Sequence, residues 1–175
     1  AGGETIALYT TTYAYDGAGR RTVKKIEHSG DLDCTEHDYY DGQKQIEARL
    51  LDGDGYEHVM RQYVWGTQYV DEIIRVDING DYLDYNDDCL DAADKSYYYH
   101  QDANWNVVAV TGATGGESGD VVQRISYSSY GRPTFTDITG RTRSGPTFGP
   151  AGNTLHTAAV AWQGLFYDLE TGHSY

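Results

Sequence analysis

The side chains best suited to chemistry in this sequence are oxygen donors, and they crowd one short stretch. Asp77, Asn79 and Asp81 stand at positions 1, 3 and 5 of a run whose position 12 is Asp88. Alternating carboxylates and amides at that spacing resemble calcium loops of the EF-hand or dockerin type, in which about six to eight oxygens wrap one hard cation. Position 6 is Tyr82 rather than Gly, and position 12 is Asp rather than a bidentate Glu, so a solvated acidic loop is the competing reading. No cofactor is required; calcium is the candidate. Cys34 and Cys89 are the disulfide candidate, one bridge in an oxidising compartment and two thiols in a reducing one. Neither has a His at zinc-like spacing.

Catalytic patterns are missing. The histidines at 28, 37, 58, 100, 156 and 173 are scattered through turns and strand ends, with no paired nucleophile, no G-x-S-x-G and no H-E-x-x-H. Ser128-Ser129 reads as a strand edge, and the glycine-rich stretch 112–119 lacks the Lys and following helix of a phosphate loop. The expectation is a protein that is not an enzyme. The clusters Tyr39-Tyr40 and Tyr97-Tyr98-Tyr99 could stack on sugar rings; cross-strand aromatic ladders are the alternative.

The elements that would position these residues are hairpins. Tyr13 to Ile26 reads as an aromatic strand, a tight turn at Asp16-Gly17-Ala18-Gly19 and a second strand carrying Val23 and Ile26. Asp-Gly between β-prone runs is a strong hairpin signal because Gly accepts positive φ without steric cost. Related units open at Tyr39-Tyr40-Asp41-Gly42, Tyr63-Val64-Trp65-Gly66, Tyr97 to Tyr99, and Tyr127-Ser128-Ser129-Tyr130-Gly131-Arg132. Phe166-Tyr167-Asp168 begins a sixth unit that reads as unfinished. The spacing is irregular, roughly 25 to 35 residues, as in stacked repeat architectures. Residues 2–12 read as an entering strand, 77–95 as an acidic insert, and 137–161 as a Gly/Thr/Pro-rich excursion loop. No segment keeps a helical period, so the fold class is all-β: hairpins stacked into a coiled antiparallel sheet, one region over 1–175.

Composition narrows the partners. The chain has 27 acidic against 13 basic side chains, a net charge of −14, with 17 Tyr but only 3 Phe and 3 Trp. That charge disfavours nucleic acid and anionic membrane surfaces. No apolar run is long enough to span a bilayer, so no membrane insertion is expected. Tyrosine suits sheets with half-wet faces, packing its ring while its hydroxyl reaches water. A start at Ala1 without an apolar signal stretch reads as a processed product or a piece of something longer.

Four motifs, taken in order, resemble the YD repeats and RHS-repeat-associated core of bacterial RHS proteins. They are Tyr15-Asp16-Gly17-Ala18-Gly19-Arg20-Arg21, Asp102 to Ala109, Tyr127-Ser128-Ser129-Tyr130-Gly131, and Gln163 to Gly172. The resemblance covers almost the whole chain, and the version with Tyr63 to Glu72 and an acidic insert looks most like RHS-type proteins of planctomycete-like bacteria. It implies a β-sheet coiled into a shell, often around a C-terminal toxin, on the bacterial surface or outside the cell. It carries the repeat residues Tyr15, Asp16, Gly17, Gly19, Arg20, Tyr40, Asp41, Gly42, Tyr130, Gly131, Tyr167 and Asp168. The family's aspartyl self-cleavage segment has no counterpart here, so no processing residue is carried over.

The expected role is therefore a non-enzymatic extracellular scaffold that self-associates through open strand edges into a fibre or shell wall. The unfinished sixth unit would take its partner strand from the entering strand of another copy. Two alternatives stand beside it: a section of an RHS shell enclosing a toxin, in which the partner is the remainder of a longer chain, and a carbohydrate-binding or adhesion module.

Overall fold

The computed structural model describes residues 10–28, 33–80, 94–143, 145, 160–168 and 173–174. Eleven strands form one antiparallel sheet in sequential order: β1 (Thr10–Tyr15), β2 (Arg21–Glu27), β3 (Cys34–Asp41), β4 (Lys44–Leu51), β5 (Glu57–Trp65), β6 (Ile73–Ile78), β7 (Lys95–Gln101), β8 (Val107–Gly112), β9 (Val121–Tyr127), β10 (Pro133–Asp137) and β11 (Thr142–Arg143). The all-β expectation holds, and no α-helix occurs among the described residues. Tyr, Val, Ile and Thr dominate the strands because branched and aromatic side chains fit a pleated, half-buried surface.

Register shows how the hairpins repeat. At the turn end of β1, β3, β5 and β7 one residue pairs across a bulge: Tyr15 with Arg21, Tyr40 with Gln45, Trp65 with Ile73, and Gln101 with Val107. The extra residues are Thr22, Ile46, Ile74 and Val108, every one β-branched. A bulge adds one residue to one strand and re-aims its neighbours. The outgoing strands then bury matching positions: Arg21, Lys24 and Ile26 on β2; Gln45, Ala48 and Leu50 on β4; Ile73, Val76 and Ile78 on β6; Val107 and Val110 on β8. The incoming strands match too, with Glu36 and Asp38 on β3, Arg61 and Tyr63 on β5, Tyr97 and Tyr99 on β7, and Gln123 and Ile125 on β9.

A short hairpin caps this inner face. β12 (Tyr167–Asp168) pairs with β13 (His173–Ser174), so the strand that opens the sixth unit finds a partner within the chain. Its approach, Val160 to Phe166, lies against the apolar part of the sheet: Val107 N–H donates to Ala161 O at 3.1 Å, and Val160 and Ala161 are fully buried. Phe166 meets Tyr63 edge-on, with ring centroids 5.2 Å apart, while the next residue, Tyr167, packs on Phe135 at 5.4 Å. Neighbouring side chains in extended backbone point to opposite sides. Both reach the inner face of one sheet, from β5 and from β10, so that sheet curls around the segment. The core is this enclosed cluster of Ile73, Val76, Tyr97, Val110, Ile125, Phe135 and their neighbours.

The expected excursion loop also contains structure. Asp137 to Arg141 turns the chain into β11, and Val160 onward returns to the core; 144 and 146–159 lie outside the described residues. The entering strand is described only from Thr10.

Candidate binding site at the turn edge

One turn recurs along both edges of the sheet. In Asp16–Arg20 the first residue's N–H donates to the fifth residue's carbonyl at 2.9 Å, and the fourth residue's N–H to the first residue's carbonyl at 3.1 Å. The Asp16 side chain accepts the N–H groups of Ala18 and Arg20 at 2.8 and 3.0 Å. Asp52–Tyr56, Asp102–Asn106 and Asp137–Arg141 repeat every one of these bonds, and Ser128–Arg132 repeats all but one with a serine hydroxyl. An Asp side chain that binds the backbone two and four residues on favours this turn over continued strand. The half-buried Asp16, Asp52 and Asp137 carboxylates are held below the usual range, chiefly by bonds from Arg20, His58 and Thr139 respectively. The fourth position needs positive φ, and Gly19, Gly55, Gly131 and Gly140 supply it. At Gly131 a Cβ would also meet the Trp162 ring at 2.9 Å.

The fourth position of Asp102–Asn106 is Trp105, at φ 64°. A bulky residue there is a strained exception. Its indole stacks on Tyr69, centroids 5.0 Å apart and 12° from parallel, and Gln101 Nε2 donates to both Trp105 O and Asp71 O at 2.8 and 2.7 Å. The strained turn thus clamps the 66–72 loop that joins β5 to β6.

Tyr-Asp-Gly occurs twice before β5 but builds two different turns. Asp16 starts the five-residue turn, whereas Asp41 pairs with Lys44 across a two-residue turn in which Gly42 has φ 59°. A single positive-φ Gly at the first turn position fits type II′. Arg20 links the two turns: Nε donates to Asp16 Oδ2 at 2.6 Å, Nη1 donates to Gly42 O, and its guanidinium sits 5.0 Å from the Tyr40 ring centroid.

Where these turns meet the 66–72 loop and the Gly164–Phe166 segment, a cavity of about 320 Å³ opens. Tyr15, Tyr40, Trp65 and Phe166 give it aromatic walls. Gly164 lets the segment approach; at φ 73° a Cβ there would lie 2.8 Å from Asp71 Cβ. Lys44 lies 5.8 Å from the Trp65 ring centroid and donates one bond, to Gly66 O at 2.8 Å. Trp65 Nε1 donates to Gln45 O at 2.7 Å. Burial raises the Asp71 carboxyl, and Lys44 partly opposes the rise.

Behind the cavity lies a buried ion cluster. Arg21 Nε donates to Asp38 Oδ2 at 2.8 Å and its Nη2 to Glu36 Oε1 at 3.3 Å; Arg61 Nη2 reaches Glu36 Oε1 at 2.7 Å; Gln45 Nε2 donates to Asp38 Oδ1 at 2.7 Å. All of these residues, and Lys24, are less than a tenth exposed. Burial works against charge on Glu36, but Arg61, Arg21 and Lys24 overcome it and hold the carboxyl at about 2. Burial and the neighbouring Glu36 charge instead push Asp38 up to about 7, against Arg21.

The predicted site residues are distributed as follows. Tyr15, Gly19, Arg20 and Tyr40 line the cavity; Asp16, Gly17, Asp41 and Gly42 form the turns beside it. Tyr130 stands at the third position of the Ser128–Arg132 turn, 99% exposed, while Tyr127 takes the strand-end place, its hydroxyl donating to Val107 O at 2.6 Å. Tyr167 joins the core, and Asp168 pairs with His173 through the backbone. Asp77 does not open a loop. It sits in β6, its Oδ1 taken by Arg75 at 2.6 Å and by the Ser96 hydroxyl at 2.5 Å, while Asn79 is buried at the strand end. Asp81 and Asp88 lie outside the described residues, as does Cys89; Cys34 is half-buried at the start of β3. Among the described residues no group of three or more His, Cys, Asp or Glu is placed to hold a metal ion. Tyr97 and Tyr99 are buried while Tyr98 is exposed, so this trio alternates across the sheet and forms no stacking platform. His37 lies 2.5 Å from Glu57 and His58 2.8 Å from Asp52, both side-chain pairs within the sheet.

Sequence reading missed Gln45, Lys44, Trp65 and Asp71 as neighbours. The signal was present in the bulge register, which sets Gln45 opposite Tyr40, but no local pattern announces a bulge. Searches found no family model and no curated protein that matches the chain.

Proposed function

We propose that this chain is a non-enzymatic β-sheet scaffold of the YD-repeat, RHS-core type, acting outside the bacterial cell or on its surface and extended by strand pairing at β1. One observation carries the reading: five hairpins follow one another in an uninterrupted sheet, the first four with the same bulged register, and β1 is an edge strand among the described residues. Thr10 and Thr12 are exposed there, with no Lys, Pro or bulge to blunt the first half of the strand. Unprotected edges recruit other strands. At the opposite edge β11 has two residues, tied back by Arg143 to Asp137 at 2.5 Å, and makes a poor acceptor. Pairing of β1 with β1 of a second copy is therefore favoured over head-to-tail polymerisation.

An enclosing shell section is supported by a second observation, the curl of β5 to β10 around Val160 to Tyr167. The two readings share the same sheet and differ at β1. Light scattering across a concentration series separates them. Edge pairing gives dimers or larger assemblies that Thr10→Lys with Thr12→Lys abolishes without changing the circular dichroism. A monodisperse monomer at every concentration would remove self-association and leave the shell section.

A further inference from the structure

The cavity at the turn edge holds polar groups that the protein itself does not use. Gln45 is 2% exposed, its Nε2 is committed to Asp38, and its Oε1 has no hydrogen-bond partner. A buried acceptor left unpaired has given up its hydration without a replacement, so the observation asks for a donor. The Asp71 carboxylate, at the rim, accepts no hydrogen bond from the described residues, and burial has already raised it. Lys44 Nζ spends one of its three protons, on Gly66 O. The unspent groups are therefore three acceptor oxygens and one donor nitrogen, set among the rings of Tyr15, Tyr40, Trp65 and Phe166.

That inventory selects a ligand. A cation is disfavoured, since Arg20 already lies on the Tyr40 ring and Lys44 on the Trp65 ring. A simple anion is also disfavoured: the Arg20 and Arg21 guanidiniums are engaged by Asp16, Asp38 and Glu36, and Asp71 stands beside Lys44. A neutral ring bearing hydroxyls satisfies everything at once. Hydroxyls donate to Gln45 Oε1 and Asp71 and accept from Lys44, while the C–H face of the ring packs on an aromatic wall. A volume of about 320 Å³ is at the small end of cavities that enclose small molecules, enough for a single sugar ring.

We propose that this cavity binds one neutral pyranose unit, with Gln45, Asp71 and Lys44 as its polar contacts and Trp65 and Tyr40 as its walls. The site is formed within one chain and does not depend on assembly through β1. Its geometry relies on Trp105 and Gln101, which hold the 66–72 loop in place.

The test is a nitrogen-15 NMR titration that follows the Gln45 side-chain amide. The probes are methyl glucopyranoside, galactopyranoside, mannopyranoside and xylopyranoside, with glycerol, acetate and ethylammonium as controls. At least one pyranoside should shift the Gln45 resonances saturably. Asp71→Ala and Lys44→Met should each weaken that binding at least tenfold with an unchanged dispersed spectrum, and Thr142→Ala should leave it alone. Two independent rim variants guard against one of them failing to fold. No saturable shift with any pyranoside, equal shifts with glycerol, acetate or ethylammonium, or unchanged affinity in both rim variants would overturn the proposal.

Discussion

The outgoing strands β2 and β4 on one side, and β6 and β8 on the other, bury side chains at the same register positions, but the position beside the bulge is polar in the first pair and apolar in the second. Arg21 and Gln45 occupy the places that Ile73 and Val107 occupy further along, and Lys24 corresponds to Val76 and Val110. The incoming strands diverge in the same way, from Glu36 and Asp38 on β3 to Tyr97 and Tyr99 on β7. Bulge and turn geometry thus decides which positions face inward, and the residue type there decides only how the burial is satisfied. In β6 to β10 satisfaction comes from apolar contact with the C-terminal segment. In β2 to β5 it comes from a shared set of ion pairs, in which each carboxylate serves more than one donor. Buried ion pairs of this kind give up much of their attraction to desolvation, whereas apolar burial does not. The apolar half should therefore be the stable half, and the charged half the one that can be tuned.

Moving a charge across that boundary should have the largest effect. Ile73→Arg places at the matching position of β6 the residue that β2 tolerates, but without Glu36 and Asp38 beside it. An unpaired buried charge of that kind should abolish cooperative thermal unfolding altogether. A melting transition close to wild type would show that register equivalence is the wrong frame. Next in size is Glu36→Gln, which removes the carboxylate that Arg21 and Arg61 share. A loss of about 3–5 kcal/mol in urea unfolding is expected. Replacing Arg21, Glu36, Asp38 and Arg61 together by Leu should recover most of that loss, since the penalty lies in stranding the partners.

The subtlest effect is on pH dependence, where the two carboxylates act in opposite directions. Glu36 ionises more readily in the fold than in the unfolded chain, so its stabilisation is present above about 4.5 and is lost as pH falls towards about 2. Asp38 holds its proton longer in the fold, so its contribution is present below about 3.8 and is lost as pH rises towards about 7. Stability from this cluster should peak near pH 4 and decline towards neutrality. Asp38→Asn should flatten the decline from pH 4 to 7 while leaving the acid limb intact, as read from melting temperatures at low salt. A profile that keeps its decline would place the titrating group elsewhere.

The two Tyr-Asp-Gly stretches show how far local sequence reaches. Both announce a turn between two strands, and both turns are there. Asp16 is followed three residues later by Gly19, and that second glycine permits the positive-φ fourth position of the longer turn. Asp41 is followed three residues later by Lys44, and the chain closes in two residues with Gly42 alone in positive φ. The distinction was readable in hindsight, because the fourth residue of the stretch is Gly in one case and not in the other. The Asp102 turn defeats even that rule, since Trp105 stands where Gly belongs and its strained conformation is held by Tyr69, distant in sequence.

Sequence by itself determined the all-β class, the hairpin order and the places where the chain turns, because φ preferences, Asp side-chain bonds and branched or aromatic propensity all act within a few residues. It also offered Asp77 as a loop ligand, where the strand and Arg75 took it instead. Tertiary structure alone decided that β5 to β10 curl around the C-terminal segment, that the strand opening the sixth unit pairs within the chain, and that Gln45, Lys44, Trp65 and Asp71 share one cavity with Tyr15 and Tyr40. Those outcomes depend on bulge register and on contacts between residues far apart in the chain. A one-residue shift of register would send each of these side chains to the other face, and no local pattern fixes that shift.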